Sequence, residues 1–221
     1  MNSFDKIKYV RALKTLKKIF EKHDITYWID YGTLWGAMRE GAIMDFDEDF
    51  DVGCSLRDVP KISQLKQEFK EEGYDLRVNK NHLNYMIHKI STGEHLGCIL
   101  FREAVGDYMI RIRFDPVLRF ILPLANYGKG GWLIKKVWEK VINLKIIKLY
   151  RDMEVSSSLH DLGNLDGVKF YGEWFPVPEH PVEYLDFMYP HRNWRVVSDR
   201  KLFGAEIGRR RQRLKEVLKN G

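Results

Sequence analysis

The sequence predicts an α/β (α+β) fold: a mixed β-sheet flanked by helices, followed by a helical and irregular C-terminal lobe. Three observations predict it. Apolar residues recur at helical spacing over the first 23 residues, short β-rich runs punctuated by Gly, Asn and Asp fill residues 25–114, and the second half returns to helix-prone basic stretches. The 221 residues are 44% hydrophobic and 31% charged, enough to bury one core and too apolar for a disordered chain. The expected division is a core over residues 1–125 and a C-terminal lobe over residues 126–221 packed on it, as a single cooperative unit.

Taken in order, residues 3–23 place Phe4, Ile7, Val10, Leu13, Leu16, Ile19 and Phe20 on one helical stripe with lysines between them. Residues 25–30 (ITYWID) read as a strand, Tyr31-Gly32 as a turn, and Thr33 as the start of a short helix to Arg39 that Gly41 terminates. Residues 49–53 alternate polar and apolar as a half-buried strand does. Residues 60–72 read as a helix stopped by Gly73. Four runs (75–78, 84–90, 97–102 and 108–114) then follow as an antiparallel meander continuing the sheet. Beyond it come a long helix over residues 132–153, an aromatic hairpin over 170–177, the segment 178–189, and a basic helix-prone stretch over 198–220.

Composition narrows the partners. The two cysteines, Cys54 and Cys98, have no CxxC spacing and no neighbouring His, so they are expected as core residues in a reducing compartment. The N-terminal segment mixes lysines into its apolar positions and so lacks a signal peptide's hydrophobic block, and no run approaches the roughly 20 apolar residues of a membrane span. A cytoplasmic location is expected, with peripheral membrane contact open to the lysine-bearing helix over residues 132–150. A net charge of +6 and a pI near 9.1 favour anionic partners. Nucleic acid ranks last among them, since no recognisable binding motif accompanies the charge.

The chemistry concentrates in the run DFDEDFDVG. In an extended segment Asp47, Asp49 and Asp51 project from one edge while Phe46, Phe50 and Val52 face the other way. Oxygen-only ligation of that kind suits Mg²⁺ or Mn²⁺ completed by water and substrate phosphates. Upstream, Gly32 and Thr33 stand where a strand gives way to a helix whose N-terminus favours phosphate, with Thr33 able to cap the helix or donate to a phosphate oxygen. Arg39, on the same helix, is the cation expected to neutralise a phosphate or the carboxylates.

The run YGTLWGAMREGAIMDFDEDFDVG resembles the signature of the LicD/fukutin/fukutin-related-protein family, a branch of the nucleotidyltransferase superfamily, and the later FPVPEHPVEYLDFMY resembles the family's Pro/Tyr-Leu/Tyr region. The resemblance implies a nucleotidyltransferase-like catalytic core, with Gly32 and Thr33 at nucleotide phosphates, Asp49 and Asp51 as metal ligands and Asp47 as an auxiliary acid. It further implies transfer of phosphocholine or a polyol phosphate from a CDP-alcohol donor to a hydroxyl of a glycan or lipid-linked glycan, with release of CMP, in cell-surface polysaccharide biosynthesis. The sequence departs from the family pattern at RFDP, where Arg113 stands in the position of a third acid and Asp115, two residues on and on the same strand face, is the substitute. That departure leaves open a nucleotide-binding module without turnover; a second alternative, using the same two aspartates, is a nucleotidyltransferase that places NMP on a small molecule, protein or RNA and releases pyrophosphate. His82, His88 and His95 lie in the meander without metal-type spacing and are expected as ordinary sheet or surface residues. The six tryptophans are expected mostly in the core, with one or two free to stack on a sugar or cytosine.

Overall fold

The computed structural model describes residues 3–79, 84–105, 108–114, 152–157, 164–189 and 194–195. Helix α1 (Ser3–Lys22) realises the first amphipathic stripe, burying Leu13, Leu16, Ile19 and Phe20. Strand β1 (Tyr27–Ile29) leads into α2 (Tyr31–Glu40), which ends at Gly41 with φ of 63°, a left-handed conformation that glycine adopts at least cost. Strand β2 (Phe50–Ser55) follows, then a 3-10 turn (Leu56–Asp58) and two short helices, α3 (Val59–Gln64) and α4 (Lys66–Glu71), where the sequence predicted one continuous helix. The break falls at Leu65, which is buried and closes the first of the two.

Strands β3 (Tyr74–Asn79), β4 (Asn84–Lys89), β5 (His95–Val105) and β6 (Tyr108–Phe114) form the expected antiparallel meander. The sheet as a whole is mixed, because β5 lies parallel to β2 while β1 pairs β2 antiparallel. Its order is β1-β2-β5-β4-β3, with β6 pairing β5 and β7 (Asp152–Ser157) pairing β6. Asp152 and Met153 are therefore strand residues and not the end of the expected helix over residues 132–153, the rest of which lies outside the described residues. Pairing with β7 satisfies the backbone groups along the edge of β6.

One face of the sheet is apolar, with Phe50, Val52, Ile99, Phe101, Tyr85 and Ile87 all buried. Phe20 of α1 meets it edge-on at Tyr27 (5.6 Å between ring centroids) and meets Phe69 of α4 at 6.4 Å. Gly97 is required here, since a Cβ would come within 2.6 Å of the Phe50 ring. The expected aromatic hairpin is β8 (Leu165–Phe170) with β9 (Glu173–Pro178), tied to α1 through Lys14 and Glu173 at 2.9 Å. Helix α5 (Pro181–Met188) then buries Tyr184, Leu185 and Met188. Among the described residues no helix is long and apolar enough to cross a membrane.

Candidate active site

The opposite face of the sheet carries the polar residues. The pleat and the register put Asp30, Asp51, Cys98, Met86 and Asn84 on it, because Asp51 pairs Cys98, Cys98 pairs Met86 and Leu100 pairs Asn84. Asp30 continues the β1–β2 ladder, its N–H donating to the carbonyl of Asp51 at 3.0 Å.

Two carboxylate settings result. The inner one is Asp30, fully buried, the N-cap of α2. Its Oδ1 accepts from the Tyr31 N–H (2.8 Å) and the Tyr184 hydroxyl (2.5 Å), and its Oδ2 accepts from Arg102 Nη2 (2.6 Å) and Nε (3.2 Å). Burial works to lower the Arg102 pKa, but the adjacent Asp30 carboxylate outweighs it and holds the guanidinium well above its ordinary value. Burial, then Asp30, pushes the Tyr184 hydroxyl up. The network holds Tyr31 at a φ of 44°, a conformation that costs a non-glycine residue about 1–3 kcal/mol, with the Tyr31 ring 4.9 Å from the guanidinium carbon.

The outer setting lies at the mouth of β2. Asp49 precedes the strand, and its Oδ2 is 3.3 Å from His95 Nε2, which is 3.6 Å from Cys98 Sγ. Among the described residues these three are the one group of three or more His, Cys, Asp or Glu side chains whose ligand atoms all lie within 4.8 Å of one another. Burial, then Arg77 and then His95, lowers the pKa of His88, whose ring centroid is 5.2 Å from that of His95.

The residues singled out in the sequence fall as follows. Thr33 does not cap α2; the helix begins two residues before the expected start, at Tyr31, and Asp30 caps it, its side chain accepting from the Tyr31 N–H. Thr33 is buried in the first turn, where its Oγ1 accepts from the Asp51 N–H at 2.8 Å and so fastens the helix to β2. Gly32 lies against the Asp47 side chain, whose carboxylate would have to move to admit a Cβ there. Asp47 thus stands against the helix N-terminus, where the dipole favours an anion, apart from the Asp49 group. Arg39 is in the last turn of α2, ion-paired with Glu40 and 5.6 Å from the Trp35 ring; six residues from Thr33 is about 9 Å along a helix axis. Asp115 and His82, the side chain of Arg113, and the helix over residues 132–150 lie outside the described residues.

Sequence reasoning missed His95, Cys98, Asp30, Arg102 and Tyr184. Cys54 is buried as expected, whereas Cys98 is half-exposed and faces His95. The overlooked signal was the spacing His95-x-x-Cys98 itself. Of the tryptophans, Trp28, Trp35 and Trp194 are buried and Trp174 is 66% exposed.

This arrangement, a strand, a Gly-Thr helix start and an acidic strand bound back to it, runs from β1 to β2 and lies within residues 24–115, which match the family described as LicD/FKTN/FKRP, nucleotidyltransferase domain. Over these residues the chain is similar to a LicD-type domain. An uncharacterized protein of Rickettsia typhi is 38% identical over 140 residues, covering 61% of this chain and 43% of that protein. The ribitol 5-phosphate transferase FKRP of Homo sapiens and that of Mus musculus are each 36% identical over 61 residues, 26% of this chain and 12% of theirs. The matches thus span less than half the length of these relatives. The LicD-type segment contains every candidate site residue from Gly32 to Asp115, while the later segment 175–189 lies outside the match.

Proposed function

We propose that the chain is a metal-dependent transferase that moves a phosphorylated alcohol from a CDP-activated donor to a glycan or lipid-linked glycan hydroxyl, releasing CMP. The observation that carries this reading is the Thr33–Asp51 hydrogen bond, which joins a helix N-terminus to the acidic strand within a LicD-type segment. The likeness to a ribitol 5-phosphate transferase supports a polyol phosphate as the group moved.

The donor chemistry fits Mg²⁺ or Mn²⁺: Asp49 has a side chain 35% exposed, Asp51 is half-buried on the next outward position, and both offer hard oxygens. When bound, such an ion supplies charge neutralisation for the donor diphosphate. The chain's own groups do the rest. Thr33 fixes the backbone of Asp51, and the buried Asp30–Arg102–Tyr184 network fixes the start of α2, so the carboxylates need no reorganisation during the reaction. Asp47 keeps the helix entry acidic. The acceptor oxygen bonds to the distal phosphorus in line as the bond to CMP breaks. Asp115 is the acid proposed to take the acceptor's proton, and exposed Trp174 is available to stack on a sugar.

The test is a thermal-shift panel of CDP-ribitol, CDP-glycerol, CDP-choline, CTP, ATP and UTP, with and without Mg²⁺, on wild type and Asp51→Asn. Ligand that binds only the folded chain raises its Tm. A Mg²⁺-dependent shift with a CDP-alcohol, absent from the variant, is the expected result; a shift confined to ATP or UTP overturns the reading in favour of nucleotidyl transfer.

A further inference from the structure

Residues three apart on a regular strand point to opposite faces. His95 and Cys98 nevertheless meet, because the β4–β5 register slips: Ile87 pairs Gly97 but His88 pairs His95, leaving Leu96 in a bulge. The bulge turns the His95 ring onto the face of Cys98, beside Asp49. What it assembles is one oxygen, one nitrogen and one sulfur donor.

The two separations at His95 match a tetrahedral ion, and all three donor atoms lie within 4.8 Å of one another. With zinc–nitrogen and zinc–oxygen bonds of about 2.0–2.1 Å and zinc–sulfur of about 2.3 Å, tetrahedral geometry requires N···O and N···S edges of about 3.3 and 3.6 Å. The observed edges are 3.3 Å from His95 Nε2 to Asp49 Oδ2 and 3.6 Å from His95 Nε2 to Cys98 Sγ. Mg²⁺ demands oxygen, whereas imidazole and thiolate select zinc-like ions. The Asp49 and His95 side chains are 35% and 34% exposed, so a fourth position stays open to solvent or substrate, as in catalytic rather than structural sites.

We propose that Asp49, His95 and Cys98 form a three-donor site for a zinc-class divalent ion, with its fourth position open toward the Asp51 row. The site shares Asp49 with the proposed transferase reading but does not depend on it. His95 Nδ1 is buried without a hydrogen-bond partner, so the ring lacks the acceptor that stiffens most zinc histidines and the ion is exchangeable.

The experiment loads chelator-treated, reduced protein with Co²⁺ and then competes with Zn²⁺. Wild type is expected to bind one ion per chain with a thiolate-to-cobalt charge-transfer band that excess Mg²⁺ does not remove. Cys98→Ser and His95→Gln should weaken binding by more than the ~10–100-fold a second-shell change typically costs, and Cys98→Ser should lose the band. Cys54→Ser and Asp51→Asn should keep it. Absence of the band in wild type, or equal binding by Cys98→Ser, overturns the proposal. Because the band is read without substrate, CMP release with no band defeats this inference alone, and a band with no CMP release defeats only the transferase reading.

Discussion

Asp30 and Asp49 lie on the same polar sheet face, yet they belong to different kinds of site. Asp30 is fully buried and accepts four hydrogen bonds from three residues, so its charge is consumed by the fold. Asp49 is about one-third exposed and faces an imidazole and a thiol that leave room for an ion among them. A saturated buried acid positions chain; a half-exposed acid among convergent donors is free for chemistry. Thr33 links the two settings, since its helix starts at Asp30 and its hydroxyl holds Asp51.

The sharpest way to break this contrast is Arg102→Ala. Removing one partner of a buried ion pair leaves Asp30 uncompensated, and a loss of about 3–5 kcal/mol in urea denaturation is expected; a loss below about 1 kcal/mol would show that Asp30 is not held as described. Next come Asp49→Asn and Asp51→Asn. Each should cut CMP release by about 10²–10³-fold, about 2.7–4 kcal/mol in barrier, while denaturation shifts little. A large stability loss with retained turnover would exchange the roles of the two acids.

Tyr184→Phe sharpens the inner setting, because it deletes one hydrogen bond to a charged acceptor and should cost about 1.5–3 kcal/mol. Smallest is the surface reference. Hydrogen bonds from Lys22 and then His23 hold the Glu68 carboxyl below its ordinary pKa of 4.5. A depressed carboxyl stabilises the fold above the unfolded-state pKa and loses that contribution as pH falls through the folded-state value. Wild type and Glu68→Gln should therefore differ slightly at neutral pH and converge below about pH 4. A gap that persists in acid would assign the difference to packing.

Much of this was legible in the sequence, for identifiable reasons. The stripe of α1, the Gly41 stop and the β4–β5–β6 meander are local patterns, and each appears within a few residues of its expected bounds. The insertion of β5 beside β2 was not legible, since parallel pairing joins segments that no turn connects. The Asp30–Arg102–Tyr184 network spans 154 residues of chain between Asp30 and Tyr184 and leaves no local signature. Cys98 was read as a core residue and His95 as an ordinary sheet or surface histidine, and the bulge at Leu96, which no local pattern announces, brings the two onto one face. The break at Leu65 and the strand at Asp152 likewise follow from packing and edge pairing rather than from propensity.

The central claim, that the mouth of β2 transfers a phosphorylated alcohol, is tested most directly by the identity of the product. Phosphorus NMR of CDP-ribitol, CDP-glycerol and CDP-choline incubated with the protein, Mg²⁺ or Mn²⁺ and a glycan acceptor separates the outcomes. The account predicts CMP and a new phosphodiester, both lost in Asp49→Asn and Asp51→Asn. Pyrophosphate released from a free nucleoside triphosphate, with every CDP-alcohol left intact, would contradict it.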